Sequence, residues 1–338
     1  MLTAIWAILI FCVLIFIHEF GHFITAKMSG MTVHEFSVGM GPKLFGFGKK
    51  TKYSLRLLPL GGYVKLEGED GESPDPDAFC NKSAVKRFAV LFAGAFMNIL
   101  LGFVIFVIIY SSVGSYASRS IDSVIPGSAF ENAGVKSGDE IVKMDGKMYA
   151  TKIHSYKDIS VFISLNGGSA ADITFRRGGK EFTKNIKPTY IESEKRELFG
   201  FSPKTQKTTP WDVISLAFWE CIFVIKSVIL SIWWLIRGLV PASSVSGPVA
   251  IVSEIGAAAK MGWQTVLNFA GFISVNLGVM NLLPIPALDG GRILFLAIEK
   301  IRGKKMNPDR EGFVNFISFV LLLLLMLIVT LGDIKKLI

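Results

Sequence analysis

Three long apolar runs, residues 2–23, 88–110 and 313–331, constrain this chain more than any other feature. Each is close to the roughly 20 residues that a helix needs to cross about 30 Å of hydrocarbon. Inside a bilayer the backbone must satisfy its own hydrogen bonds, which leaves helices or a closed barrel. With 51% hydrophobic residues over 338 positions, the chain is too apolar for a pair of ordinary soluble domains. The first run lacks a basic leader and a small-residue cleavage site, and it carries His18, Glu19 and His22, so it reads as a mature helix and not a signal peptide.

A fourth crossing is expected from residues 264–297, although Asn281, Pro284, Pro286 and Asp289 interrupt it. Residues 211–239 are also apolar on average, but Glu220, Lys226 and Arg237 lie among Trp211, Trp219, Trp233 and Trp234. Scattered charge with tryptophan fits a helix lying along the membrane surface. Charge parity agrees. Residues 27–87 hold ten Lys or Arg and residues 300–310 hold five, which places both loops on the cytoplasmic side. Four spans satisfy that and five do not. The net charge of +9 thus belongs to loops facing anionic headgroups, so the bilayer is the expected partner and nucleic acid is not.

Residues 117–190 change character, being polar and punctuated by glycine, with short β-type runs at 121–125, 140–144 and 171–175. Parity puts this segment outside. The stretch Pro126-Gly127-Ser128-Ala129 to Ser137-Gly138-Asp139-Glu140-Ile141, followed by Asp145-Gly146-Lys147, resembles PDZ domains of the bacterial protease type. That resemblance implies either peptide capture on a sheet edge or a steric gate against large substrate ectodomains. The expected fold is a polytopic α-helical membrane protein of four transmembrane helices with an inserted extracytoplasmic β-rich PDZ domain. Its parts are a first membrane segment over 1–112, the β domain over 113–205, a surface helix and linker over 206–262, and a second membrane segment over 263–338.

The chemistry starts at His18-Glu19-Phe20-Gly21-His22. Histidines at i and i+4 share one helix face, so both imidazoles reach one tetrahedral zinc, and the intervening Glu reaches a water beside it. Ionisable groups inside a span cost roughly 2.5–3.5 kcal/mol each on insertion scales and seldom occur without a function. Cys12, Cys80 and Cys221 are too scattered for a thiolate site, which leaves His and carboxylate ligands. Among candidates for a third ligand, His34 lies beyond the first span and His154 in the external domain, whereas Asp289 falls at the depth of His18 and His22. The alternative for Asp289 is a helix cap in a Leu-Asp-Gly-Gly turn.

Together with Asn281-Leu282-Leu283-Pro284-Ile285-Pro286-Ala287-Leu288-Asp289-Gly290-Gly291, these residues resemble the site-2 protease family, in its bacterial RseP-like branch, over nearly the whole chain. Supporting stretches are Leu58-Pro59-Leu60-Gly61-Gly62-Tyr63-Val64, similar to the family's membrane-re-entrant β-hairpin (about 51–67 here), and Val245-Ser246-Gly247-Pro248-Val249. The resemblance implies one zinc per chain on His18, His22 and Asp289, Glu19 as catalytic base, and substrate contacts from Asn281, Gly61, Gly62, Tyr63 and Val64. It implies single-span membrane proteins as substrates, such as trimmed anti-sigma factors or remnant signal peptides, and a bacterial inner membrane location. One departure is Gly94-Ala95, where the family more often has Pro after the Gly; it bears on the kink of the second span. A noncatalytic PDZ scaffold and a zinc carrier or sensor are the alternatives, and both would tolerate loss of Glu19.

Overall fold

The computed structural model describes residues 2–69, 71–147, 149–191, 196–241, 245–304 and 306–337. Lys305, one of the cations of the second basic loop, lies outside them. The chain folds as two compact units, Met1–Phe106 with Val224–Ile338, and Val107–Phe223.

The first unit opens with α1 (Leu2–Met28), continues through β1 (Val33–Phe47) and β2 (Lys52–Leu66), and enters α2 (Ala84–Ser112). After the second unit come α6 (Pro248–Met261), α7 (Trp263–Asn281), α8 (Asp289–Arg302) and α9 (Pro308–Leu337), preceded by α5 (Pro210–Ile236), which begins in the second unit. Small residues let the long helices approach closely, as is usual where lipid offers no hydrophobic drive between them. A Cβ on Gly21 of α1 would lie 2.5 Å from the Ala93 carbonyl of α2, and one on Gly278 of α7 would lie 2.7 Å from the Ala95 carbonyl. Thus α2 is backed by α1 on one side and α7 on the other. Ser274 of α7 donates to the Asn98 carbonyl at 2.7 Å, a hydrogen bond between two fully buried residues.

The β-hairpin is longer than the expected 51–67, which is its second strand only. Gly39, Gly41, Pro42 and Gly46 deplete the first strand of β-formers, so its signal is weak in sequence. Both strands bend back. Phe36 pairs with Val64 on one side and Tyr53 on the other, and Tyr53 in turn pairs with Phe47. The result is a four-row sheet whose outer rows, 62–66 and 43–47, run antiparallel to their neighbours, while the two central rows, 35–38 and 52–55, advance together in register. Phe23, Phe36 and Tyr53 pack against one another in tilted and edge-on contacts, and Lys27 donates to Thr51 at 2.6 Å, which fastens the hairpin to α1. Met40, Leu44, Phe45, Phe47, Leu55, Leu57 and Leu58 remain exposed.

Four helices are long and apolar enough to cross a membrane: Ile5–Met28, Ala84–Ser112, Pro210–Ile236 and Asp309–Lys336. This set differs from the expected one in a single member. The expected third span is two helices, α7 and α8, separated at residues 282–288, and Asn268, Ser274, Asn276 and Asn281 lower the apolarity of α7. Conversely α5, expected along the surface, has the composition of a span. One of its charges is already satisfied, since buried Glu220 accepts from Tyr110 at 2.9 Å and from Lys157 at 2.6 Å.

The second unit is β-rich. Strands β3 (Ser115–Val124), β4 (Glu140–Gly146), β6 (Ala171–Arg177), β7 (Lys180–Ile186) and β10 (Phe201–Lys207) form an antiparallel sheet in the order β10-β3-β4-β6-β7, with β5 (Ala150–Lys152) pairing to β4. A short pair, β8 (Thr189–Ile191) and β9 (Arg196–Leu198), precedes β10. Alternate residues Ile141, Ile173 and Phe175 face inward with Phe130 of α3 (Ala129–Asn132) and Ile159 and Phe162 of α4 (Tyr156–Asn166), all fully buried. Buried Asp139 accepts from Arg177 Nε and Nη2 at 2.6 and 2.7 Å and from the Lys136 amide at 2.8 Å, which fixes the turn into β4. Burial pushes that carboxyl up, but these donors outweigh it and hold it below the usual carboxylate range.

Candidate metal centre

On α1, His18 and His22 sit one turn apart with Nε2 atoms 3.2 Å from each other. Asp289 Oδ2 lies 3.2 Å from His18 Nε2 and 3.4 Å from His22 Nε2. Four ligands at about 2.0–2.1 Å around a tetrahedral ion stand roughly 3.3 Å apart, so this triangle has the dimensions of one face of such a site. Asp289 Oδ2 is buried and receives no well-aligned hydrogen bond from the described residues.

The rings are oriented for ligation by what holds their other nitrogens. His22 Nδ1 lies 2.8 Å from the Val90 carbonyl, which only accepts, so Nδ1 carries a proton and Nε2 is the ring atom presented to Asp289. The Asn98 side-chain amide lies 3.3 Å from His18 Nδ1, and its carbonyl oxygen has no other partner among the described residues. Turned with that oxygen toward His18, it accepts the Nδ1 proton and leaves the His18 Nε2 lone pair facing Asp289 as well. With both rings as neutral Nδ1–H tautomers, two Nε2 lone pairs and a carboxylate oxygen converge, which is the donor set of a cation site. Among the described residues this is the one cluster of three or more His, Cys, Asp or Glu able to hold a metal ion.

Local sequence makes the convergence possible. A Cβ on Gly94 would lie 2.7 Å from Cε1 of His22 and closer still to Nε2, so only glycine leaves room for that ring. Asp289 is delivered by a folded-back loop. Pro284 and Pro286 cannot continue α7, and Ala287 takes φ 74°, a left-handed conformation costly to a residue with a Cβ. The two following glycines accept the returning loop, since a Cβ on Gly290 would lie 2.5 Å from the Leu282 carbonyl and one on Gly291 2.6 Å from Pro286 Cα. Asp289 is the first residue of α8, whose N-cap is Leu288 with no side-chain cap hydrogen bond, so its carboxylate serves the histidines and not the cap.

Of the residues singled out in sequence, His18, Glu19, His22, Gly62, Tyr63, Val64 and Asp289 line one cavity of about 170 Å³. Gly61 stands beside it, packed on Met40, and Asn281 reaches His18 Nδ1 only at 3.5 Å. His34 pairs instead with Glu67 at 2.5 Å, and His154 stacks on Trp219 within the second unit. Sequence reading missed Val90, Gly94 and Asn98, which recur every four residues and so form one stripe of α2. An asparagine inside an apolar run was the available signal. It also missed Glu69 and Arg292, which line the same cavity.

Two histidines and a carboxylate around one cation position, with a further carboxylate alongside and apolar helices around them, define a metallopeptidase embedded in a membrane. Residues 6–325 match the model of peptidase family M50, and the chain belongs to that family, the site-2 proteases. A protein of Clostridium acetobutylicum designated a candidate zinc metalloprotease is 43% identical over 330 residues, 97% of this chain and 96% of that one. The zinc metalloprotease RasP of Shouchella clausii is 32% identical, and the regulator of sigma-W protease RasP of Bacillus subtilis is 30% identical, each over 99% of both chains. The protein is a zinc-dependent peptidase.

Proposed function

We propose that this protein cuts peptide bonds within transmembrane segments of other membrane proteins, with zinc held by His18, His22 and Asp289 and Glu19 as the base. The observation that carries the assignment is the convergence of His18 Nε2, His22 Nε2 and Asp289 Oδ2, mutually 3.2–3.4 Å apart, in a cavity that Glu19 also lines. Bound zinc supplies a Lewis acid for the scissile carbonyl and lowers the pKa of water. The Glu19 carboxylate takes the proton of the attacking water and returns one to the leaving amine nitrogen.

A helical substrate hides its carbonyls in i to i−4 hydrogen bonds and must be locally unwound. The row 62–66 offers an edge for that purpose. Its inner side pairs with β1, and a Cβ on Gly62 would lie 2.9 Å from Cγ of Glu19, so the row runs directly past the base. An extended substrate added to this edge gains backbone hydrogen bonds there, with Asn281 holding a further backbone group. The exposed apolar side chains of the hairpin support its entry into the membrane from the cytoplasmic side. The excess of cations in residues 27–87 and 300–310 supports a cytoplasmic active site and an extracytoplasmic β domain.

We assign the β domain to the PDZ class, acting on the substrate's external part either as peptide holder or as size filter. Substrates are single-span proteins of the bacterial plasma membrane, such as trimmed anti-sigma factors or remnant signal peptides. The name of the Bacillus subtilis relative, a regulator of sigma-W protease, favours the former. The test is cleavage of a single-span substrate with a short external tail by purified protein in detergent. Glu19→Gln is expected to retain about one zinc and lose cleavage by about 10²–10⁴-fold. Cutting by that variant at the parental rate would remove Glu19 as the base.

A further inference from the structure

The carboxylate of Glu69 is shared between the end of β2 and α8, two elements that also contribute Leu66 and Leu296 to one apolar cluster. One oxygen takes an ion pair from Arg292 Nη1, and the other accepts from the Leu66 amide at 3.4 Å. Leu66 is the last residue of β2 and ends the edge row 62–66, whereas Arg292 stands one turn beyond Asp289 on α8. Both charged side chains line the cavity with His18, Glu19 and His22. A single carboxylate therefore ties the end of the edge row to the helix that carries Asp289.

The tie sits where the row leaves its own sheet. Gly62 to Lys65 pair in steady register with Val38 to Glu35, the register shifts at the row's end between Lys65 and Leu66, and Gly61, at φ 85°, and Gly62 open the row. A row that enters through two glycines and breaks its pairing at Leu66 has little in its own sheet to hold that end. It needs an anchor at its other end if a peptide added to it is to present one particular carbonyl beside Glu19.

We propose that Glu69 and Arg292 are positioning residues that clasp the edge row to α8 and so fix which substrate bond is cut. The inference rests on the proposed role of that row in substrate binding. Antiparallel pairing that slips by two residues keeps the same side chains on each face, so loss of the clasp admits cleavage two bonds away. It also misplaces the reacting carbonyl, and a displacement of about 1 Å costs on the order of 10²-fold in rate.

The experiment compares parent, Glu69→Gln, Arg292→Gln, the double variant and Arg292→Lys on a single-span substrate, with kcat, zinc content and product masses recorded. Each single Gln variant is expected to lose about 10–100-fold in kcat with zinc unchanged and to yield additional products cut two bonds from the parental site. The double variant should fall no further than the singles, because one clasp is broken either way. Arg292→Lys, which keeps a donor for the single Nη1 contact, should recover much of the rate and the single cut. Additive losses, one unchanged cut site in every variant, or loss of zinc from the Gln variants would each overturn the clasp. If the parent leaves the substrate uncut, the proposed function itself fails and the clasp with it.

Discussion

Replacing Gly94 by Ala tests whether the metal centre is assembled by helix packing or by its ligands alone. The added methyl would sit 2.7 Å from Cε1 and 2.8 Å from Cδ2 of His22, and nearer still to Nε2, while carbon contacts settle at about 3.5–4.0 Å. The ring must therefore retreat by roughly 1 Å. Retreat is opposed from behind, because His22 Nδ1 is held 2.8 Å from the Val90 carbonyl one turn earlier on the same helix that carries the new methyl. Ligand distances in zinc sites tolerate only about 0.2 Å, so the His22 bond to the metal weakens or is lost. Overpacking costs typically about 1–3 kcal/mol, equivalent to a fall in zinc affinity of about 5- to 150-fold. The assay is zinc retained per chain after dialysis against graded chelator, alongside substrate cleavage. Gly332→Ala is the control, since a Cβ there meets nothing within 4 Å and alanine is the better helix former. Parental zinc affinity and rate in Gly94→Ala would refute the claim that this glycine makes room for a ligand.

Two further outcomes follow from the same geometry. Asn98→Leu removes the acceptor for His18 Nδ1 and is expected to lower zinc affinity about 10- to 100-fold while leaving the helices formed, read by metal titration and circular dichroism; unchanged affinity would show that His18 is oriented without it. In the β domain, Asp139 is buried against Arg177 and the Lys136 amide, so its pKa is lower folded than unfolded. Its contribution is therefore complete above the unfolded value of about 3.9 and is lost as pH falls through the lower folded value. Asp139→Asn is expected to destabilise this domain by about 2 kcal/mol near neutral pH, discounted from a fully buried pair because Arg177 is half exposed. Hydrogen exchange of the β4 and β6 amides in the full chain reads that loss, and equal protection in variant and parent at pH 7 would contradict it.

How much of this was legible in sequence depended on how local each cause is. The i, i+4 histidines announce themselves because helix geometry alone makes them neighbours, and the apolar runs because membrane thickness sets their length. Asp289 was legible because the expected third span, taken to run in the same direction as the first, would reach it at the level of His18 and His22. The hairpin was half legible. Its second strand has regular β-formers, but the first is broken by glycine and proline and is held by pairing on both sides and by Phe23 and Lys27 of α1, none of which is a local property. Residues 211–239 and 264–297 expose the limit of counting charges and apolar residues. Glu220 counts against a span only if it is unpaired, and Tyr110 and Lys157 pair it.

The least legible layer was the one that orients the ligands, and the reason is geometric. Val90, Gly94 and Asn98 act on His22 and His18 from a different helix, 68–80 residues away along the chain. Nothing in α2 read by itself distinguishes a glycine that faces lipid from one that faces an imidazole. The pairing of Gly21 with Ala93 brings α1 and α2 into near backbone contact, and it is this contact that turns Gly94 and Asn98 from ordinary members of an apolar run into determinants of the metal site. Gly21 lies within the histidine motif itself, between Phe20 and His22. The motif therefore encodes more than two ligands and a base: its fourth residue is the notch into which the second helix fits. A bulkier residue there should cost zinc affinity without touching any ligand.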